Sequence, residues 1–507
     1  MPVALTSQGL QRLADDGSPL EGPEEPDDLA EAVAGLEAVE HPRWVWESTA
    51  ATYPGLLARG VRLRRCHDLS LTDALLSGRD GHWAPPGPGP TEGTLFDVEP
   101  DTETLPVRYP RQLAAIEAAL GETPGFRLLV AAESAASLAA AEMTHAGIPW
   151  RTDVHDAVLE AALGPPGPAG PQRLRELAEA IGAALDEPTL NPDSPEQLLR
   201  ALRRQGLVVR STRARELQRV DHPAISLVLQ YKELSRLHSA HGWAWQRRWV
   251  HDGRFRPEYV VGGVVSGRWA SRGGGALQIP REVRAAVVAD PGRRLVVADA
   301  RQLEPRVLAA LSRDAGLAAA AAGGDVYEAV ATQAFAGDRS AAKVGLLSAM
   351  YGGASPALTT LRRSYPDALA LLEAAARAGE RGEPVRSVLG RTSPRWDPAW
   401  AEEGEDTAGR ERAWGRFTRN FVVQASAADW ANVWLSLLRG RLEGQAGAEL
   451  VFFQHDEVVL HVTEDVAGAV ADAVSSAADE ATTLVFGQTP VSIPLAVAVV
   501  DGYADAK

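Results

Sequence analysis

Two apolar runs, Leu295–Ala298 and Leu450–Gln454, read as buried strands, yet the block between them, roughly 303–440, is patterned for helix. Further strand-like runs stand at Tyr259–Val265, Val458–Val462 and Val491–Val500. Strands on both sides of a long helical insertion imply one antiparallel sheet assembled from distant parts of the chain. The expected class is α+β, with strands and helices segregated.

The remaining sequence suits two to four domains in 507 residues. Residues 1–30 are acidic and Pro/Gly-bearing and read as loose at the start. Residues 30–80 alternate helix-like and strand-like patches. Residues 81–108, which include Ala84-Pro-Pro-Gly-Pro-Gly-Pro90, read as a linker. Long helical patterns follow at Arg111–Leu120, Ser134–Ala146, Pro171–Leu185 and Ser194–Gln205. No apolar run approaches the roughly 18 residues of a membrane span, so no membrane is expected. The single cysteine, Cys66, excludes an internal disulfide and any cysteine-based zinc site, and it suits a reducing cytoplasm.

Net charge is −16, which on its face argues against nucleic acid. The charge is segregated, however. Residues 1–50 carry a net −9, while residues 200–219 carry seven arginines, among them Arg203 and Arg204, against Glu216. A polyanion could meet that basic segment, although taken alone a solvated helix face is the better account of it. Only three lysines occur, Lys232, Lys343 and Lys507, so a surviving lysine inside a motif is worth asking about.

Asp299 follows the run Leu295–Ala298, and Asp456 and Glu457 stand between the two later strands. A carboxylate just past a buried strand is costly unless it is paired or binds metal. Side by side, these strand ends would bring Asp299 and Asp456 within a metal's reach. Hard oxygen donors favour Mg²⁺, with Mn²⁺ as substitute, and two such ions would suit phosphoryl transfer. Taken singly, Asp299 is better explained as a cap of the following helix and Asp456 as a turn residue. Arg339, Lys343, Leu347 and Tyr351 fall at spacing four and share one helix face, able to hold a triphosphate and then a base, or else simply solvated.

Together these segments resemble the polymerase motifs of family A DNA polymerases, the DNA polymerase I-like group. Asp299-Ala-Arg-Gln302-Leu-Glu304-Pro-Arg306 is similar to the first motif, Arg339 to Gly352 to the second, and Gln454-His455-Asp456-Glu457 to the third. Ser266-Gly-Arg268-Trp, Leu277-Gln-Ile-Pro280 and Arg416-x3-Asn420-x3-Gln424 agree in order, and the resemblance spans about residues 125–507. It implies a right-hand polymerase fold, with an antiparallel palm sheet and helical fingers and thumb. The thumb would occupy about 125–255, the palm about 256–311 and 425–507, and the fingers about 312–424, within a polymerase domain of 109–507.

The resemblance also implies roles. Asp299, Asp456 and Glu457 would hold two Mg²⁺ ions. Glu304 would exclude a ribose 2′-hydroxyl, with Tyr351 beside it. Arg339 and Lys343 would grip the triphosphate, Lys343 being the candidate acid, while Gln302, Tyr327 and Leu347 would complete the nucleotide site. Arg268, Arg416, Asn420, Gln424 and His455 would meet primer–template DNA, and Arg203 and Arg204 its phosphates. The expected partners are primer–template DNA and deoxynucleoside triphosphates, with the protein acting as a monomer.

Four departures stand out. Leu347 replaces an aromatic with Ser348 in place of the following glycine, Tyr327 replaces a phosphate-contacting histidine, the stretch from Phe335 to Lys343 is short, and the asparagine of the family's Gln-Asn-Ile-Pro element is missing at Gln278-Ile279-Pro280. Residues 1–80 resemble a degenerate, vestigial 3′–5′ exonuclease-like α/β domain. Asp101-Thr-Glu103 matches the exonuclease signature literally but follows the segment it should precede, and reads as coincidence. The expected activity is therefore template-directed DNA synthesis without proofreading. A template-independent or specialised nucleotidyltransferase is the first alternative, and a non-catalytic DNA-binding protein the second.

Overall fold

The structure is a computed structural model, and it describes residues 1–6, 9–83, 104–168, 170–272, 274–396 and 407–506. Most of the 81–108 linker, with Asp101 and Glu103, therefore lies outside the described residues. Two compact units are distinguishable. The first comprises Met1–Ala146, Glu258–Arg272 and Gly292–Val499, and the second Gly147–Pro257, Gly273–Pro291 and Val500–Lys507. Among the described residues no helix is long and apolar enough to cross a membrane.

The first unit opens on a four-stranded sheet in the order Gly9–Arg12, Pro2–Thr6, Arg43–Trp46, Cys66–Asp68. The last three strands run parallel, and the first two form an antiparallel hairpin. The expected loose start is thus overturned: Val3 and Ala4 are fully buried, and Val3 packs with Val33, Trp44 and Leu138. Three apolar residues beside a strongly acidic stretch gave too short a signal, and burial against fully enclosed Trp44 and Trp46 outweighs the local composition. Helix Leu105–Leu120 begins inside the segment read as linker.

The second sheet of this unit positions the site. Its order is Ala448–Gln454, Glu457–Thr463, Arg293–Ala300, Leu495–Val500. The strand 457–463 pairs antiparallel with both 448–454 and 293–300, setting Asp299 and Gln454 each opposite Glu457. Helix Thr407–Arg441 and helix Ala467–Phe486 pack together, joined by Trp430 to Thr482 and Trp434 to the Val474 carbonyl. Two strands are shorter than the sequence suggests. The last begins only after Pro494, whose ring supplies no ladder N–H. The run at 259–265 stops at Val260 and pairs with Ala270–Arg272 across a glycine-bearing turn.

Short helices in this unit start on aspartate caps. Asp314, Asp325 and Asp338 each accept a backbone N–H from the residue three further on, satisfying donors that a helix start leaves open. Asp338 thereby fixes the start of helix Arg339–Tyr351.

The second unit is mainly helical, with Thr152–Leu163, Gln172–Ala184, Pro195–Arg204 and Pro223–His241. Trp150, His155, Trp245 and Phe255 form its aromatic centre. The chain end returns to this unit, Tyr503 N–H bonding the Val287 carbonyl at 2.9 Å. Residues 273–291 and 500–507, read from sequence as palm, group with these helices by contact.

Candidate active site

Asp299 is the penultimate residue of its strand, and the adjacent Ala300 N–H bonds the Asp456 carbonyl at 2.9 Å. Strand register alone thus brings Asp299 and Asp456 together at one end of the sheet's strands. Asp456 sits in a two-residue hairpin loop with His455, whose φ of 58° is left-handed, a conformation costing a non-glycine about 1 kcal/mol. The loop aims Asp456 and His455 into a cavity of ≈ 240 Å³ that Asp299, Glu304, Tyr327 and Leu347 also line. Glu457 is buried and is not part of that lining.

Glu304 lies in the first turn of helix Leu303–Ser312. Its carboxylate accepts from Arg268 Nη2 at 2.6 Å and from the Tyr351 hydroxyl at 2.8 Å. Burial, and then the Glu304 charge, push the Tyr351 hydroxyl above its ordinary pKa, so it stays a donor. Arg268 follows Gly267, whose φ is 84°. A Cβ at Gly267 would fall 2.3 Å from Arg391 Nε, so only glycine lets this turn rest on the buried guanidinium. Arg391 is itself enclosed between Glu133 and Asp429, and Asn432 donates to Glu133 at 2.8 Å. Burial pushes the Asp429 carboxyl up to about 6, with Arg391 opposing the shift.

The spacing-four face of helix 339–351 is realised. Leu347 lines the cavity and Tyr351 reaches Glu304. The Arg339 guanidinium and the Lys343 ammonium lie 5.6 and 6.0 Å from the Tyr327 ring centroid. Arg339 also pairs with Asp325, at 2.7 Å through Nη2 and 3.2 Å through Nε. Burial raises the Asp325 carboxyl, but hydrogen bonds from Arg339, Gln302 and the Glu328 N–H outweigh it and hold it at about 2. Gln302, itself left-handed at φ 56°, accepts the Val326 N–H at 2.8 Å and so ties the Asp299 strand end to that helix start.

Arg416, Asn420 and Gln424 share one face of helix Thr407–Arg441, at spacing four. Arg416 lies against Gly352, where φ is 72° and a Cβ would come within 2.6 Å of Arg416 Cγ. Burial, and then the nearby Arg268 charge, lower the His455 pKa. Arg203 and Arg204 belong to the second unit. Arg204 pairs with Glu187, and Arg203 Nε bonds the Val209 carbonyl at 3.4 Å. Sequence reasoning missed Asp325 and the Glu133–Arg391–Asp429 cluster. Asp325 carried only the signal of a helix cap, and the cluster unites residues far apart in the chain.

Two aspartates at the strand ends of an antiparallel sheet, beside a helix presenting arginine and lysine, are the layout of the right-hand polymerase fold. The solved POL domain of Pol1 from M. smegmatis, described in complex with DNA primer-template and dNTP, shares that fold. Its TM-score is 0.76 at 22% identity, over 99% of this chain and 95% of that one. The sequence profile of DNA polymerase family A matches residues 170–361. Thermostable DNA polymerase I of Thermus filiformis is 30% identical over 318 residues, 56% of this chain and 36% of the relative. That of Thermus thermophilus is 29% identical over 370 residues, 64% of this chain and 43% of the relative. The chain thus spans less than half the length of these relatives. It is related to the family A DNA polymerases.

Proposed function

We propose that this chain is a DNA-directed DNA polymerase, extending a primer 3′ end with deoxynucleotides by two-metal phosphoryl transfer. The observation that carries the reading is the meeting of Asp299 and Asp456 at one cavity with Glu304, Tyr327 and Leu347. Among the described residues no three or more His, Cys, Asp or Glu side chains form a ready metal cage. Two carboxylates are nevertheless the donor set that Mg²⁺ takes when substrate phosphates and water complete its shell. Asp299 and Asp456 would hold the ions, which would supply activation of the primer hydroxyl and charge stabilisation at the transferred phosphoryl group. Glu457, buried in the paired strand, would support those strand ends.

Arg339 and Lys343 would bind the triphosphate, and Lys343 would donate the proton to departing pyrophosphate. Gln302 would hold the wall of the nucleotide site, and Tyr327 would place the cations. Glu304, fixed by Arg268 and Tyr351, would fill the space of a 2′-hydroxyl. Arg416, Asn420, Gln424 and His455 would meet the primer–template, with Arg203 and Arg204 touching phosphates.

Proofreading would be absent, the N-terminal sheet being a vestigial exonuclease-like scaffold. The carboxylates following its strands are already engaged. Glu47 pairs with Arg108, and Asp68 accepts the backbone N–H groups of Thr49 and Leu71. The protein would act as a monomer in the cytoplasm. Extension of a labelled primer in Mg²⁺, with and without template, tests the reading. Template-dependent extension supports it, random tailing favours the template-independent alternative, and DNA binding without extension favours a non-catalytic role.

A further inference from the structure

Arg339 is the cation expected to grip the triphosphate, yet its guanidinium is already engaged by a carboxylate. Asp325 Oδ2 takes both Nη2 and Nε, at 2.7 and 3.2 Å. The pair is half open to solvent, the two side chains being 47% and 37% exposed, so an incoming anion can reach it. Asp325 cannot follow Arg339 away. Its Oδ1 caps helix Val326–Ala334 through the Glu328 N–H at 3.0 Å, and the Gln302 side chain holds the same helix start by accepting the Val326 N–H at 2.8 Å. Arg339, by contrast, is the first residue of its helix and swings on a long stem. The Tyr327 ring lies near both Arg339 and Lys343, so the two cations stay gathered while Arg339 is occupied.

We propose that Asp325 is an internal competitor for the triphosphate, occupying Arg339 until a more highly charged anion displaces it. The proposal rests on the polymerase reading of this site and adds a control on nucleotide affinity. A triphosphate must take Arg339 from a fixed carboxylate and then tolerate that carboxylate nearby. Both effects weaken binding of the nucleotide before chemistry. A singly charged anion offers Arg339 no more than Asp325 does, so the arrangement favours polyphosphates over monoanions.

The test uses the full chain with primer–template, and the variants Asp325→Asn and Asp325→Ser. Both residues are good helix caps, so the start of helix 326–334 survives while the charge is lost. Single-nucleotide insertion should show KM for the nucleotide lowered by about fivefold with kcat unchanged, the scale of one exposed ion pair. Calorimetric titration of the protein with inorganic tripolyphosphate, which involves no turnover, should show the same gain in affinity. In an Arg339→Gln background Asp325→Asn should bring a clearly smaller gain, because only the carboxylate's repulsion of the triphosphate remains to be relieved; an undiminished gain there would overturn the competition for Arg339. An unchanged or raised KM in both variants, with their melting curves intact, would overturn the proposal and make Asp325 a residue that positions Arg339. A wild-type chain that extends no primer would instead overturn the polymerase reading itself.

Discussion

The Tyr351 hydroxyl donates to both oxygens of Glu304, at 2.8 and 3.1 Å, joining the end of one helix to the first turn of another. Arg268 holds the same carboxylate from a third segment. A glutamate restrained by two donors keeps its position, and that is the property a sterically selective group needs. Glu304→Ala should therefore raise ribonucleotide insertion relative to deoxyribonucleotide insertion by at least about tenfold, a change of about 1.4 kcal/mol. The ratio of the two insertion efficiencies on one template is the measurement. An unchanged ratio removes the selective role.

Leu347 should limit how well the incoming nucleotide is held. It lines the cavity together with Glu304 and Tyr327, one helical turn beyond Lys343. A flat ring there would add aromatic contact worth about 0.5–1.5 kcal/mol. Leu347→Phe should lower KM several-fold at constant melting temperature. A lower melting temperature with no gain in affinity would mean that the ring overpacks the site and that Leu347 serves as core.

The buried Glu133–Arg391–Asp429 cluster carries two acids against one base, and burial sets the Asp429 carboxyl at about 6. A carboxyl whose folded pKa lies above its unfolded value of 3.8 binds its proton more tightly when folded. That contribution is present below about pH 4 and is lost as pH rises toward 6. Asp429→Asn should remove the loss and raise stability at pH 7 by about 1–3 kcal/mol, with a flatter dependence between pH 4 and 6. Thermal unfolding of the two proteins across that range decides. A variant less stable at pH 7 would show that the charged carboxylate is a net support for Arg391.

Much of this site is legible in the sequence, for physical reasons. The strand bearing Asp299 and those flanking Asp456 announce themselves because Leu295–Ala298, Val451–Phe453 and Val458–Leu460 are buried and therefore continuously apolar. Helix 339–351 is legible from spacing-four residues behind an aspartate cap. Ion-pair partners are not legible. Nothing local says that Arg268 reaches Glu304 rather than open solvent, or that Asp325 binds Arg339 besides capping its own helix. Arg391 and Glu133 are 258 residues apart, and a single sequence gives no sign of their meeting. The strand Pro2–Thr6 was obscured by the acidic stretch that follows it, because composition averages over a window wider than five residues.

The central claim is that Asp299 and Asp456 together carry the chemistry. The most direct measurement is single-nucleotide primer extension by Asp299→Asn and Asp456→Asn, each beside an assay of primer–template binding. Near-isosteric asparagine keeps the hairpin and strand end while removing one negative charge from the proposed metal site. Each variant should lose at least about a hundredfold in extension rate, a barrier increase of roughly 2.7 kcal/mol, with DNA binding and melting temperature nearly unchanged. Either variant retaining wild-type extension would contradict the assignment of these strand ends as the catalytic centre.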